Sequence, residues 1–216
     1  MLITHLKPEN ELVPILSRKP LVVCCFGCAE LFFPEEEILS FLSRYPDSYS
    51  GLIRCDYLCN REFCKEYLSQ ERIHTPSTVL IFSCGVGIQS AAEHLESIPV
   101  FAGCDTLMVN GFQGISITEN QCHQCGECRL NETGGICPIT ACAKGLLNGP
   151  CGGAKNGKCE VDPAMECGWE KIWCRWKEQG KINLSPTSIA IRDYEKLSTG
   201  RTGSFSSRQI NAVPKD

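Results

Sequence analysis

Apolar residues along this chain come in short runs separated by glycine, proline and charge. Leu21, Val22, Val23, Cys24, Cys25 and Phe26 run unbroken until Gly27, the pattern of a strand covered on both faces. Thr78, Val79, Leu80, Ile81 and Phe82, just after Pro76, predict a second strand of the same kind. Residues 51–56 predict a weaker strand between them, and Val100-Phe101 and residues 106–109 are two further candidates. Helical spacing fills the gaps. Pro34 followed by Glu35, Glu36 and Glu37 opens a helix, because negative charge suits the first turn. Ile38, Phe41, Leu42 and Tyr45 supply its apolar stripe and Pro46 ends it. Residues 60–70 predict another helix with Phe63, Tyr67 and Leu68 facing inward, and Ala91, Ala92 and Leu95 mark a third. Residues 1–19, mixed in character and interrupted by Pro8 and Pro14, are expected to be a lead-in.

Strands alternating with helices at this spacing predict the α/β class, with a small parallel, Rossmann-like sheet. Beyond about residue 117 the alternation stops. Residues 118–180 read as a second unit, rich in cysteine and glycine, built by metal and with little regular structure. Residues 181–216 are polar and rich in Ser, Thr and Gly near the end, and are expected to be a poorly ordered tail. The stretch 111–120, with two glycines, is the expected junction.

Composition sharpens the picture at one point above all. The chain has 216 residues, a net charge of −4 and 17 cysteines. The charge gives no general attraction to nucleic acid, and no apolar run is long enough for membrane insertion. Lys7, Glu9, Glu11, Arg18 and Lys19 break up any apolar stretch near the start, so no export signal is expected and the expected compartment is cytoplasmic and reducing. In such a compartment many cysteines point to metal rather than to disulfides.

Eight of the cysteines lie within the 46 residues 122–167. Cys122, Cys125 and Cys128 have the C-x2-C-x2-C spacing of iron–sulfur ligands, and Cys137, followed by Pro138, is the candidate fourth ligand or a ligand of a neighbouring cluster. Each intervening dipeptide turns the chain back, and Gly126 is expected to let backbone N–H groups approach sulfur. Cys142, Cys151, Cys159 and Cys167 follow at spacings of nine, eight and eight, which would serve a second site holding either a [4Fe-4S] cluster or Zn²⁺. With so little apolar content, the metal would supply the folding energy. His123 reads as a neighbour rather than a ligand.

The first unit has cysteines of its own. Cys24, Cys25 and Cys28 end the first strand, Cys55 and Cys59 the next, and Cys84 the one after. In an open parallel sheet these ends share one edge. Cys24, Cys28, Cys55, Cys59 and Cys84 are therefore candidates for a third site, the alternative being that Cys24, Cys55 and Cys104 are buried small apolar residues. Cys84-Gly85-Val86-Gly87 also has the outline of a phosphate loop, without the third glycine. A thiol enzyme using Cys84 or Cys28 lacks a histidine placed as its base.

The run from Cys137-Pro138-Ile139-Thr140 through Lys144-Gly145-Leu146-Leu147-Asn148-Gly149-Pro150-Cys151-Gly152-Gly153 to Gly157-Lys158-Cys159-Glu160-Val161 resembles the methylenetetrahydrofolate reductase C-terminal family. Cys167, Trp169 and Trp173-Cys174-Arg175-Trp176 extend the match over residues 118–176, and residues 83–93 add to it. Within the family the chain is most similar to the small MetV-type subunit. The resemblance implies an accessory subunit carrying iron–sulfur clusters, with zinc at one site as an option. Such a subunit passes electrons to a MetF-like flavoprotein in one-carbon metabolism, with FMN on that partner, and further redox subunits are compatible with it. The alternative is a zinc-binding structural scaffold without electron transfer. Trp169, Trp173 and Trp176 would either face the partner or close the cysteine-rich unit.

Overall fold

The computed structural model describes residues 2–29, 31–69, 76–108, 122–180 and 189–195. The expected junction at 111–120, Val109, the end of the 60–70 helix and most of the expected tail lie outside them.

The four best apolar runs form one parallel sheet. Its strands are β2 (Leu21–Cys25), β4 (Gly51–Cys55), β5 (Val79–Phe82) and β6 (Val100–Ala102), in the order β4-β2-β5-β6. β2, β5 and β6 are buried throughout, whereas the edge strand β4 alternates until Cys55. Successive side chains of a strand point to opposite faces, so the central strands feed two separate cores. Val22, Cys24, Leu80 and Phe82 pack with Leu12, Ile15 and Leu16 of α1 (Glu9–Leu16) and Ile38, Phe41 and Leu42 of α2 (Glu35–Ser43). On the other face Leu21, Val23, Cys25, Val79 and Ile81 pack with Cys64 of α3 (Arg61–Tyr67) and Ile88, Ala91 and Ala92 of α4 (Gly85–His94). The α/β class and the parallel sheet are as the pattern predicts.

Three details differ. Residues 1–19 are not a lead-in. Leu2–Leu6 is a strand, β1, and α1 follows with Pro14 inside it. A helix this short survives an internal proline because Leu12, Ile15 and Leu16 anchor it on the sheet. β1 pairs antiparallel with β7 (Cys104–Met108) and parallel with the short β3 (Leu31–Phe32), forming a second, three-stranded sheet. The strand expected at 106–109 therefore belongs to that sheet and not to the parallel one. In the 60–70 helix Tyr67 and Leu68 pack inward as expected, but Cys64 takes the place of Phe63, which is 45% exposed. Asn60 sets this phase by capping the helix, its Oδ1 accepting from the N–H groups of Glu62 and Phe63 at 2.9 and 3.2 Å.

Residues 122–180 contain two helices, α5 (Pro138–Ala141) and α6 (Gly168–Glu178), and otherwise turns. They sit against the β6/β7 side of the first unit. The Asn131 amide accepts from Ala102 N–H and donates to its carbonyl at 3.3 Å, satisfying backbone groups of β6, the outermost strand of the parallel sheet. Leu107 bridges to Cys125, and Gly126 N–H donates to the Thr106 carbonyl at 3.0 Å. Lys7 Nζ meets Asp105 Oδ1 at 3.0 Å, and the same oxygen accepts from Cys128 N–H at 2.8 Å. Leu130 joins the core of the sheet, with Cys128 and Cys137 packed against it.

Candidate metal centre

The thiols of residues 122–167 fall into two groups around two small cavities. Cys122, Cys125, Cys128 and Cys137 line the first, with Thr106 and His123 beside them. Cys142, Cys151, Cys159 and Cys167 line the second, with Trp169 among its walls. Each holds a space of about 20 Å³. None of the seventeen cysteines is in a disulfide. Among the described residues no three Cys, His, Asp or Glu side chains are already gathered at coordination distance, so closing either site requires side-chain rotation. Four thiols around one cavity are nevertheless a donor set that fits an iron–sulfur cluster or Zn²⁺.

The first site is shaped by backbone turns at the two dipeptides. Gln124 and Gly126 both have positive φ, 54° and 72°, which reverses the chain twice between cysteines. The N–H that approaches sulfur is that of Gln124, 3.4 Å from Cys122 Sγ. Gly126 spends its N–H on Thr106 instead, so its role is to fasten the loop to β7. Burial is the first cause that raises the Cys122, Cys125 and Cys128 thiols, Cys128 to about 12. These groups are protonated when metal-free, and a bound cation would have to displace the protons. Cys137 is the N-cap of α5, with Pro138 at the first helical position.

The second site depends on a hairpin that regular cysteine spacing does not reveal. Lys155 and Lys158 exchange backbone hydrogen bonds of 3.1 and 3.0 Å across Asn156-Gly157. Both central residues have positive φ, 52° and 79°, as a two-residue Asn-Gly hairpin turn requires. Its second arm pairs in turn with residues 165–167, Lys158 bridging to Glu166, and this second pairing brings the next two cysteines together. Cys159 N–H donates to the Met165 carbonyl at 2.9 Å and Cys167 N–H to the Gly157 carbonyl at 2.8 Å. Asn-Gly between lysines was the sequence signal for this device, and a reading based on cysteines alone passes over it. Cys167 caps α6, and Trp169 Nε1–H donates to the Leu146 carbonyl at 2.9 Å, pinning the far wall.

At the sheet edge the register separates two neighbours. Cys24 enters the α1/α2 core, where burial raises its thiol to about 12. Cys25 faces the other way, toward Cys55 and the start of α4. Cys104 and Cys64 are likewise buried, and burial raises both. Cys24, Cys55 and Cys104 are thus all buried among apolar residues, and Cys25 lies beside Cys55. The phosphate-loop outline is filled by packing. A Cβ on Gly85 would meet Cys122 Sγ at 2.7 Å, and one on Gly87 would strike Ser83 Oγ. These glycines admit side chains, not a pyrophosphate.

Residues 101–195 match the methylene-tetrahydrofolate reductase C-terminal family. The chain matches no curated protein and no solved structure. The family span begins in β6, includes β7 with its Asp105 and Thr106 ties, and takes in both cavities. The segment that resembles this family in sequence is thus one structural piece, the open sheet edge with the cysteine-rich unit laid on it.

Of its three tryptophans, Trp169 is buried and stacks edge-on with Trp176 at 6.2 Å between centroids. Trp176 Nε1–H donates to the Glu132 carbonyl at 2.9 Å. These two close the unit, and Trp173, 52% exposed, faces outward. A cavity of about 530 Å³ lies between α4 and α6, and among the described residues no cysteine lines it. Its cations have partners: Arg61 with Glu93, Lys171 with Glu166, and Arg175 with the Ala92 carbonyl at 2.7 Å. Among the described residues no helix is long and apolar enough to cross a membrane.

Proposed function

We propose that this chain is an iron–sulfur electron-transfer subunit of a methylenetetrahydrofolate reductase complex, serving a MetF-like flavoprotein that carries FMN. The observation that carries the proposal is the convergence of Cys122, Cys125, Cys128 and Cys137 on one cavity inside the segment that matches the reductase family. A [4Fe-4S] cluster held there supplies one-electron transfer.

The remaining residues bind and shield. Asp105 fixes Cys128 through its backbone N–H, Gln124 offers an N–H to Cys122, and Leu130 and Pro138 keep water from the inner side. Hydrogen bonds to sulfur and exclusion of water are the means by which a protein sets a cluster's potential. Trp173 on the outer face of α6 is the aromatic anchor offered to the partner.

For the second cavity the hairpin favours a second reading. Cys159 and Cys167 converge where residues 157–159 pair antiparallel with residues 165–167, and Cys142 and Cys151 close the set. A closed four-thiolate site of this kind suits structural Zn²⁺, and a chain holding zinc alone would be a scaffold. Anaerobic purification with metal analysis and a visible spectrum decides between them. A brown protein containing iron and sulfide is the expected result, and Cys125→Ser should remove one cluster's iron. A colourless protein holding only zinc overturns the electron-transfer proposal.

A further inference from the structure

The parallel sheet reverses its winding between β2 and β5. After β2 the chain enters α2 on one face, and after β5 it enters α4 on the other. Connections that diverge in this way leave a crevice at the carboxyl ends of the two strands, where open α/β sheets bind their ligands.

Thiols occupy that crevice. Cys25 ends β2, Cys28 lies in the loop after it, Cys59 follows β4, and Cys84 follows β5 and caps α4. They are close enough to feel one another: Cys59 is affected by Cys28 and Cys25, and Cys84 by Cys25 and Cys59. A backbone donor is aimed at one of the sulfurs. Leu58 N–H reaches Cys25 Sγ at 3.5 Å, and Cys84 stands at the N-terminus of α4. Cys55 lies behind Cys25, its S–H donating to the Cys24 carbonyl at 3.5 Å. Ser83 Oγ, in a residue 1% exposed, lies beside Cys25.

We infer that Cys25, Cys28, Cys59 and Cys84 hold a further iron–sulfur cluster in this crevice, contiguous with the site of Cys122, Cys125, Cys128 and Cys137. The contiguity is direct. Gly85 follows Cys84, and its missing side chain leaves the space that Cys122 Sγ fills. Gly85 N–H also donates to Thr106 Oγ1 at 3.0 Å, which fixes that junction. Cys24, Cys64 and Cys104 stay outside the set as core residues, and Cys55 supports Cys25 from behind. The site itself stands on the crevice geometry, while the choice of iron over zinc rests on the electron-transfer proposal.

The test uses the full chain purified without oxygen. Alkylation of cysteines, mapped by mass spectrometry, is compared before and after iron is removed by a chelator. In the loaded protein Cys25, Cys28, Cys59 and Cys84 should resist alkylation, and Cys28 and Cys59 should react once iron is gone. Cys28→Ser, a substitution in a loop, should lower iron and sulfide by about four atoms each per chain. Cys122, Cys125, Cys128 and Cys137 should remain protected in that variant. Alkylation of Cys28 and Cys59 in the loaded wild-type chain overturns the inference, as does unchanged iron in Cys28→Ser. Loss of zinc in place of iron from that variant overturns the cluster. Should Cys28→Ser fail to fold, the wild-type alkylation map decides alone. Cys125→Ser reports separately on the first site, so either proposal can fail while the other stands.

Discussion

The sheet and the cysteine-rich unit are held together in opposite ways. In the sheet, Val22, Val23, Leu80, Ile81 and Phe82 are wholly buried, and two helices cover each face. In residues 122–180 the buried apolar set is little more than Leu130, Trp169 and Ile172. What the second unit has in place of a core is turns, backbone ties to its neighbour, and sulfur. A segment without a core can hold one conformation if strong bonds to a central atom replace many weak contacts. It can then place eight thiols where a packed core would have left no room for them. The sheet shows the converse, since its apolar cores absorb Cys24, Cys25, Cys55, Cys64 and Cys104, and only Cys28, Cys59 and Cys84 beyond the strand ends are partly exposed.

The largest expected effect separates the two regions outright. Removing metal by chelation should abolish amide-exchange protection through residues 122–167 while β2 and β5 keep theirs. Equal loss in both regions would show that the sheet depends on metal as well. Phe82→Ala should do the reverse. Phe82 is fully buried, 6.5 Å from the Phe41 ring between centroids, and its truncation should cost about 3–5 kcal/mol in denaturant unfolding with metal content per folded chain unchanged.

Asp105→Asn tests the seam between the regions, with an expected cost of about 3 kcal/mol because Lys7, 5% exposed, would keep a buried charge without that partner. The pH dependence has a definite sign. Burial pulls the Lys7 pKa down, but attraction and hydrogen bonding from Asp105, then Glu11, outweigh it, and the folded value lies above the ordinary 10.5. The contribution is therefore complete below pH 10.5 and is lost as pH rises through the folded value. In Asp105→Asn the alkaline fall should begin at lower pH. An unchanged alkaline limb in pH-dependent unfolding would remove Lys7–Asp105 from the seam.

Much of this was legible in the chain itself. Unbroken runs such as 21–26 and 78–82 announce buried strands because a strand covered on both faces has no need of polar alternation. The C-x2-C-x2-C triplet is legible for a similar reason: thiols brought to one cavity by consecutive turns must be close in sequence. The grouping of Cys142, Cys151, Cys159 and Cys167 was visible only as a list of leftovers, since it takes the pairing of residues 157–159 with 165–167 to bring Cys159 and Cys167 together through backbone hydrogen bonds.

Other features were decided by tertiary structure alone. No local pattern distinguishes Cys24 from Cys25, since both sit in a run of apolar residues. The alternation of the strand and the placement of helices on its two faces send them into opposite cores, Cys24 against α1 and α2 and Cys25 against α3 and α4. β1 and β7 exist as strands because they pair with each other across a hundred residues, a contact that no window of sequence contains. Sequence determined most of the elements and where the thiols stand along the chain. Only the fold decided which thiols share a cavity, because that depends on strand order, on the side of the sheet each crossover takes, and on a glycine at position 85 that makes room for Cys122 Sγ.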